Sequence, residues 1–315
     1  MTLRRFLARR RFYLQLPGIV RDRLRAHARD GIFVSLMGGL GDLVNAFPAL
    51  EALSARAPID LGTGGGPYAM LARANPHLRT VYAPFVYKPI RRQHRRVIAR
   101  VLSPLYERVV LLDEPDSAWR TRDRHLSAVY AERCGVGAPV RGRVHLPEAS
   151  RRAGARYLEQ AGVTEFVYVV QSIRHRRPSR SWPLAHYHAV LGMLRARTAL
   201  PILVDTLGSD ETAVPEFCRR LPSLDILTAA ALIERARLYI GPDTGPTHIA
   251  AALGVPTVAI HLGYPPEVCG ALGDNVALVR QRRPLDNPAL TTPDDVWDAV
   301  QCELSRVRAA RRAVK

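Results

Sequence analysis

The sequence predicts an α/β protein of two Rossmann-like domains with a cleft between them. Three observations carry this. From residue 31 onward, short apolar runs alternate with helical patterns, the mark of βαβ units and parallel sheets. Two such sets exist, separated by a polar, glycine-containing stretch at 141–165. The length of 315 residues is about two domains at roughly 150 residues each. The expected division is a basic segment 1–30, a first domain 31–150 and a second domain 151–315.

In the first 30 residues, Leu3, Phe6 and Leu7 fall at helical spacing, as do Val20 and Leu24, and Pro17-Gly18 divides the segment into two short pieces. Nine arginines fill the gaps. The segment reads as one or two basic amphipathic helices of the kind that lies on a membrane, or as a helix docked on the protein itself. It makes a poor signal peptide, because its apolar part contains Gln15 and Pro17 and meets Arg21-Asp22 without a small-residue cleavage site. Residues 32–36 follow as a strand, 42–54 as a helix in which Pro48 starts or kinks the continuation, and 59–61 and 109–112 as buried strands. The second set runs strand 166–170, helix 183–195, strand 201–204, helix 228–237, strand 238–240, helix 245–253 and strand 257–260. Residues 293–315 form a terminal helix with Val296, Val300 and Leu304 on one face.

Composition narrows the function classes. Apolar residues at 47% and charged residues at 23% are ordinary for a globular protein. The longest apolar stretch, 249–260, is interrupted by Gly254, Pro256 and Thr257, well short of the about 20 residues a membrane span needs. The cysteines at 134, 218, 269 and 302 form no CxxC pair, which argues against a zinc ribbon or a thioredoxin-like site and for a cytoplasmic protein. The net charge is +18, of which residues 1–30 carry +7 and residues 306–315 carry +5. Basic ends suit an acidic partner, either an anionic membrane face or nucleic acid; a plain bias toward arginine is the other reading.

Four stretches carry candidate chemistry. The first is Gly38-Gly39-Leu40-Gly41-Asp42, between a strand and a helix. Glycine lets another molecule approach the backbone, and the helix start supplies free N–H groups. The Gly-Lys-Ser/Thr ending of a phosphate loop is missing, and Val44 stands where a dinucleotide fingerprint needs a small residue. Asp42 is either an N-cap or a catalytic carboxylate. The second stretch is Gly241-Pro242-Asp243-Thr244-Gly245-Pro246-Thr247-His248, a strand-turn-helix suited to a diphosphate; Asp243 and Thr244 also fit simple capping. The third is residues 172–183, where Ser172 follows a strand and Arg180 precedes Trp182-Pro183, at an edge where open α/β sheets bind ligands. Arg180 is placed to neutralise a leaving phosphate. The fourth is Lys88, Arg91, Arg92, Arg95 and Arg96, either a solvated helix face or a grip for an anionic acceptor.

At these residues the sequence resembles glycosyltransferase family 9, the ADP-heptose:lipopolysaccharide heptosyltransferases and their relatives. Gly39-Leu40-Gly41-Asp42-Leu43 with Phe47-Pro48-Ala49-Leu50 is similar to its N-terminal signature. Arg180-Ser181-Trp182-Pro183 is similar to its Lys/Arg-x-Trp-Pro motif, and 243–248 with 250–257 to its Asp-Thr-Gly-Pro-x-His…Ala-Ala-Leu-Gly-x-Pro motif. The resemblance covers roughly residues 31–305. It implies a GT-B fold, two Rossmann-like domains facing across a cleft, and inverting sugar transfer with no metal and no cofactor. Asp42 then matches the base on the acceptor hydroxyl. Ser172, Arg180, Glu211, Asp243, Thr244, Gly245, Pro246, Thr247 and His248 match the donor side, with Glu211 at the nucleotide ribose. Gly39, Gly41, Lys88, Arg91, Arg92 and Arg95 fall on the acceptor side. The implied partners are a nucleotide sugar (ADP-heptose), an anionic glycolipid or glycan, and the anionic inner face of the cytoplasmic membrane through residues 1–30, with no nucleic acid. Two departures, Gly38-Gly39 where some members have Ser-Ser and Arg180 where Lys is common, bear on donor and acceptor identity. The alternatives are transfer of another sugar or to a protein, a catalytically dead relative, against which Asp42 argues, and a basic nucleic-acid-binding protein, for which no module or interleaved aromatics are present.

Overall fold

The computed structural model describes residues 15–26, 29–85, 92–113, 123–137, 139–172, 178–209 and 212–314. Contacts divide the chain into two units, Met1–Val140 and Arg141–Lys315.

The first unit opens with α1 (Gln15–Ala26). Then come β1 (Ile32–Ser35), α2 (Leu40–Ser54), β2 (Ile59–Gly62), α3 (Pro67–Arg73), β3 (Thr80–Tyr82), α4 (Arg92–Leu102), β4 (Arg108–Leu111) and α5 (Leu126–Cys134). The four strands are parallel in the order β3-β2-β1-β4. Strand β1 is buried along its whole length, as a central parallel strand must be with helices on both faces.

Two sequence expectations change here. Pro17-Gly18 does not divide α1. Pro17 falls in the first turn, where its missing N–H costs no hydrogen bond. Nor is the buried face that of Val20 and Leu24. Leu16, Ile19 and Arg23 are buried, whereas Leu24 is 61% exposed. Leu16 and Ile19 join Phe33, Met37, Phe85, Ile98, Leu102 and Tyr106 in one apolar cluster, so this helix docks on its own unit. Leu3, Phe6 and Leu7 lie outside the described residues.

An ionic network fastens the same corner. Asp60 on β2 is 1% exposed and receives two bonds from Arg79, Nε at 2.9 Å and Nη2 at 2.8 Å. Tyr106 donates its hydroxyl to Asp60 at 2.8 Å. Arg79 also reaches Asp30 at 3.0 Å, and Arg23 pairs with Asp30 while lying 5.0 Å from the centre of the Tyr106 ring.

The second unit runs α6 (Glu148–Gln160), β5 (Val167–Val170), a 3₁₀ turn (Pro178–Arg180), α7 (Leu184–Arg197), β6 (Ile202–Asp205), β7 (Arg219–Arg220), α8 (Ile226–Glu234), β8 (Leu238–Pro242), α9 (Gly245–Ala252), β9 (Thr257–His261), α10 (Pro266–Cys269), β10 (Val276–Arg280), a second 3₁₀ turn (Pro288–Leu290) and α11 (Pro293–Val314). Its strands are parallel in the order β10-β9-β8-β5-β6-β7. One face of the sheet packs Trp182, Tyr187, Leu191 and Leu194 with Val296, Trp297, Val300 and Leu304 of α11. The other packs Phe166, Tyr168, Leu203, Leu232, Ile233 and Tyr239.

The division falls at Val140, so the expected boundary near residue 150 lies inside α6. This helix belongs to the second unit because it packs on α8: Gly154 approaches so closely that a Cβ would stand 3.1 Å from that of Ala231. No helix among the described residues is long and apolar enough to cross a membrane.

Candidate active site

Ligands of open α/β sheets bind at the carboxyl ends of the strands, where the strand order reverses. In the first sheet that point lies between β1 and β4, and in the second between β5 and β8. The loops leaving these four strands carry the glycine turn with Asp42, the segment after residue 111, the Ser172–Arg180 stretch and the Asp243–His248 turn. Three of the four candidate stretches thus reach the carboxyl edges at the two switch points, one in the first unit and two in the second, while the Lys88–Arg96 stretch lies between β3 and β4.

In the first unit Gly39 caps α2 in extended conformation, and Asp42 Oδ2 accepts a hydrogen bond from the Gly39 N–H. The carboxylate lies so close to Gly38 that a Cβ there would stand 2.3 Å from Oδ2. Asp42 therefore closes the first turn of its own helix, the cap role, and remains partly exposed. Gly41 is buried in the same turn. One residue that sequence reasoning missed supports the loop from below. Asp113, 5% exposed just after β4, accepts from Ser35 Oγ at 2.6 Å and from the Met37 N–H at 2.6 Å. Burial raises its pKa against the pull of those two donors. A carboxylate immediately after the apolar run 109–112 is the signal that marks it.

Arg95 is half-buried and gives its guanidinium to the backbone carbonyls of Asp113 at 3.0 Å and Leu111 at 3.4 Å, tying α4 to the end of β4. Arg96 is exposed. Lys88 and Arg91 lie outside the described residues, as does the side chain of Arg92. Asp113→Ala strands the Ser35 hydroxyl and the Met37 amide, and is expected to cost about 1–3 kcal/mol. Denaturant unfolding with hydrogen exchange at the Met37 amide checks this.

In the second unit the side chains converge more tightly. Asp243 follows β8, and its Oδ2 takes the Arg180 guanidinium. Its Oδ1 lies 3.3 Å from His261 Nε2 and 3.7 Å from His248 Nε2. All four side chains are about nine-tenths buried or more, with Arg180 at 11% and Asp243 at 10% exposure. Burial works against the charge on Asp243, but His261, His248 and Arg180 outweigh it and hold the carboxyl well below the usual range. Arg180 also lies 4.8 Å above the Tyr264 ring. It passes Gly263, where a Cβ would stand 2.7 Å from Nε. The guanidinium is thus fixed by a carboxylate, an aromatic face and a glycine.

Beside it begins α9, capped by extended Thr244, with Gly245 first and Pro246 next. The threonine hydroxyls turn inward. Thr247 donates to the Pro242 carbonyl at 2.5 Å and lies 3.1 Å from the Tyr239 hydroxyl, and Thr244 donates to the same carbonyl at 3.2 Å. They brace the turn, whose Asp243 amide bonds the Ile260 carbonyl and whose Thr247 and His248 amides bond back to the Thr244 carbonyl, so the Thr244 and Gly245 amides at the helix start are the ones that suit an anion. Asp243 orients the cation; a carboxylate would repel a diphosphate. Ser172 is 8% exposed at the end of β5, and Glu211 lies outside the described residues. His261, Gly263 and Tyr264 were not singled out in the sequence. A histidine closing the buried run 257–260 at the carboxyl edge is the one signal that could have marked them.

The family model described as glycosyltransferase family 9 (heptosyltransferase) matches residues 128–290, more than half of the chain. Lipopolysaccharide heptosyltransferase 3 of Escherichia coli is 31% identical over 124 residues, which span 36% of this chain and 36% of that protein, about a third of the relative's length. Among solved structures, a family 9 glycosyl transferase from Veillonella parvula superposes with a TM-score of 0.67 at 15% identity, over 88% of this chain and 98% of that one. The ADP-heptose lipopolysaccharide heptosyltransferase II of E. coli gives 0.66 at 16% identity, over 87% and 98%. The E. coli heptosyltransferase solved with ADP gives 0.59 at 17%, over 86% and 99%. The fold is GT-B, with two parallel-sheet α/β domains, and the chain belongs to glycosyltransferase family 9.

Proposed function

We propose that this protein transfers a heptose from ADP-heptose to a lipopolysaccharide core or similar surface glycan, with inversion and without a metal. One observation carries the reading: Arg180, its side chain 11% exposed and fixed by Asp243, stands beside the N-terminus of α9 at the switch point of the second sheet. Displacement at an anomeric carbon develops positive charge on the sugar and negative charge on the departing diphosphate. A fixed guanidinium and helix-start amides stabilise that departing charge. On the acceptor side, Asp42 takes the proton from the attacking hydroxyl; one carboxylate suffices for inversion. A relative and a structural neighbour named as lipopolysaccharide heptosyltransferases, and neighbours solved with ADP-heptose or its fluoro analogue, support the choice of donor and acceptor.

A lipid-linked acceptor places the work at the cytoplasmic face of an anionic membrane. Each arginine near such a surface adds about 1 kcal/mol of attraction. Because Leu16 and Ile19 of α1 lie in the core, the part of this attraction that α1 supplies comes chiefly from its exposed arginines and is sensitive to salt.

The test is calorimetry and thermal shift with ADP, UDP and GDP. ADP is expected to bind and stabilise selectively. Arg180→Ala removes a charged donor and exposes the diphosphate to Asp243, so ADP affinity is expected to fall by about ten- to a hundredfold. Equal affinity for all three nucleotides, or an unchanged Arg180→Ala variant, contradicts the reading.

A further inference from the structure

His261 ends β9 with its ring 1% exposed. Its Nδ1 lies 2.9 Å from the backbone carbonyl oxygen of Tyr264, and its Nε2 lies 3.3 Å from Asp243 Oδ1. Both neighbours can only accept a hydrogen bond. A neutral imidazole has one N–H and one lone pair, so either tautomer would set a lone pair against an oxygen in a dry site. The ring protonated on both nitrogens donates from Nδ1 to the Tyr264 carbonyl and sets its charge 3.3 Å from the Asp243 carboxylate, an ion pair and not an aligned hydrogen bond.

We propose that His261 is a buried imidazolium that acts as a positioning residue of the donor site, holding Asp243 Oδ1 so that Oδ2 orients Arg180, and giving the cluster a net positive charge. The inference rests on the donor reading above and deepens it. With His261 charged, Asp243 is matched by two cations, one of them Arg180. With His261 neutral, the charges of Arg180 and Asp243 cancel, and this pair offers an incoming diphosphate no net charge.

The groups facing His261 agree. His248 on α9 shares the same carboxylate oxygen at 3.7 Å, and the Tyr264 ring lies under Arg180. Across the ladder, Arg280 on β10 is the register partner of His261 but pairs with exposed Glu267. Burial pushes the pKa of His261 down, and Asp243 with the Tyr264 carbonyl outweighs it, leaving the value above 6.5. The sign follows. The stabilisation from this charge is complete below about pH 6.5 and is lost as pH rises through the raised folded-state value. Diphosphate affinity falls over the same window.

The test uses the full chain with ¹⁵N-labelled histidine. Long-range ¹H–¹⁵N spectra, assigned with His261→Asn, are expected to show His261 protonated on both nitrogens at neutral pH, titrating above the free amino acid. Calorimetry with ADP from about pH 6 to about pH 9 is expected to show affinity falling by at least about tenfold in the wild type. His261→Asn is expected to bind weakly at the acid end and to lose the slope. A neutral-tautomer signature at neutral pH, or a wild-type slope in His261→Asn, overturns the proposal. Should that variant not fold, the wild-type spectrum and pH profile decide alone. A doubly protonated ring with no ADP binding at any pH overturns the donor role and the reading beneath it, while the ring state stands.

Discussion

Asp42→Asn is expected to lower transfer turnover by about 10²–10⁴-fold, the usual contribution of a positioned base, while leaving ADP affinity and folding stability unchanged. The choice of asparagine separates two roles. Asp42 Oδ2 accepts the Gly39 N–H and so closes the start of α2. Asparagine keeps an oxygen for that bond but cannot take up a proton at neutral pH. Alanine loses both, and Asp42→Ala is expected to cost a further about 0.5–2 kcal/mol of stability. Measuring turnover and denaturant unfolding on both variants distinguishes base from cap. Full turnover by Asp42→Asn would leave the carboxylate as a cap only.

The largest expected effect on stability lies away from the chemistry. Arg79→Ala leaves the 1%-exposed carboxylate of Asp60 with the Tyr106 hydroxyl as its remaining described hydrogen bond. Breaking a buried pair by removing one partner is strongly destabilising, because the other charge stays in the interior. Arg79 is 29% exposed, so the expected cost is about 3 kcal/mol, the low end for buried pairs. The same change frees Asp30 from one of its two arginines and loosens the seat of α1. Arg79→Lys keeps the charge but not the bidentate geometry and is expected to fall between. Hydrogen exchange should show lost protection in β1 and β2 with the second unit unaffected. A loss within the range of surface pairs, below about 1 kcal/mol, would mean that water reaches Asp60.

The strands and helices that frame the candidate site were legible because their signals are local. Glycines 38, 39 and 41 and the Thr-Gly-Pro-Thr turn announce a strand meeting a helix whatever surrounds them. Helix α6 was hidden because it buries Gly154 and Leu158 on an otherwise polar surface, leaving almost no apolar stripe to read. In α1, Pro17-Gly18 looked like a break because a helix start has no strong mark there. The Asp60, Arg79 and Tyr106 network joins residues 19 and 46 positions apart, and no periodicity links them. His261 looked like the end of a core strand, which it also is. Its second role depends on Asp243 and Tyr264 arriving at its two nitrogens, a coincidence of the loops after β8 and β9.

The proposed transfer requires the Asp243–His248 turn to receive a nucleoside diphosphate. Hydrogen exchange of the full chain with and without ADP tests this most directly. The predicted result is added protection at residues 243–249 and 261–264, with none at 36–42. Protection confined to the first unit, or no change anywhere at saturating ADP, would contradict it.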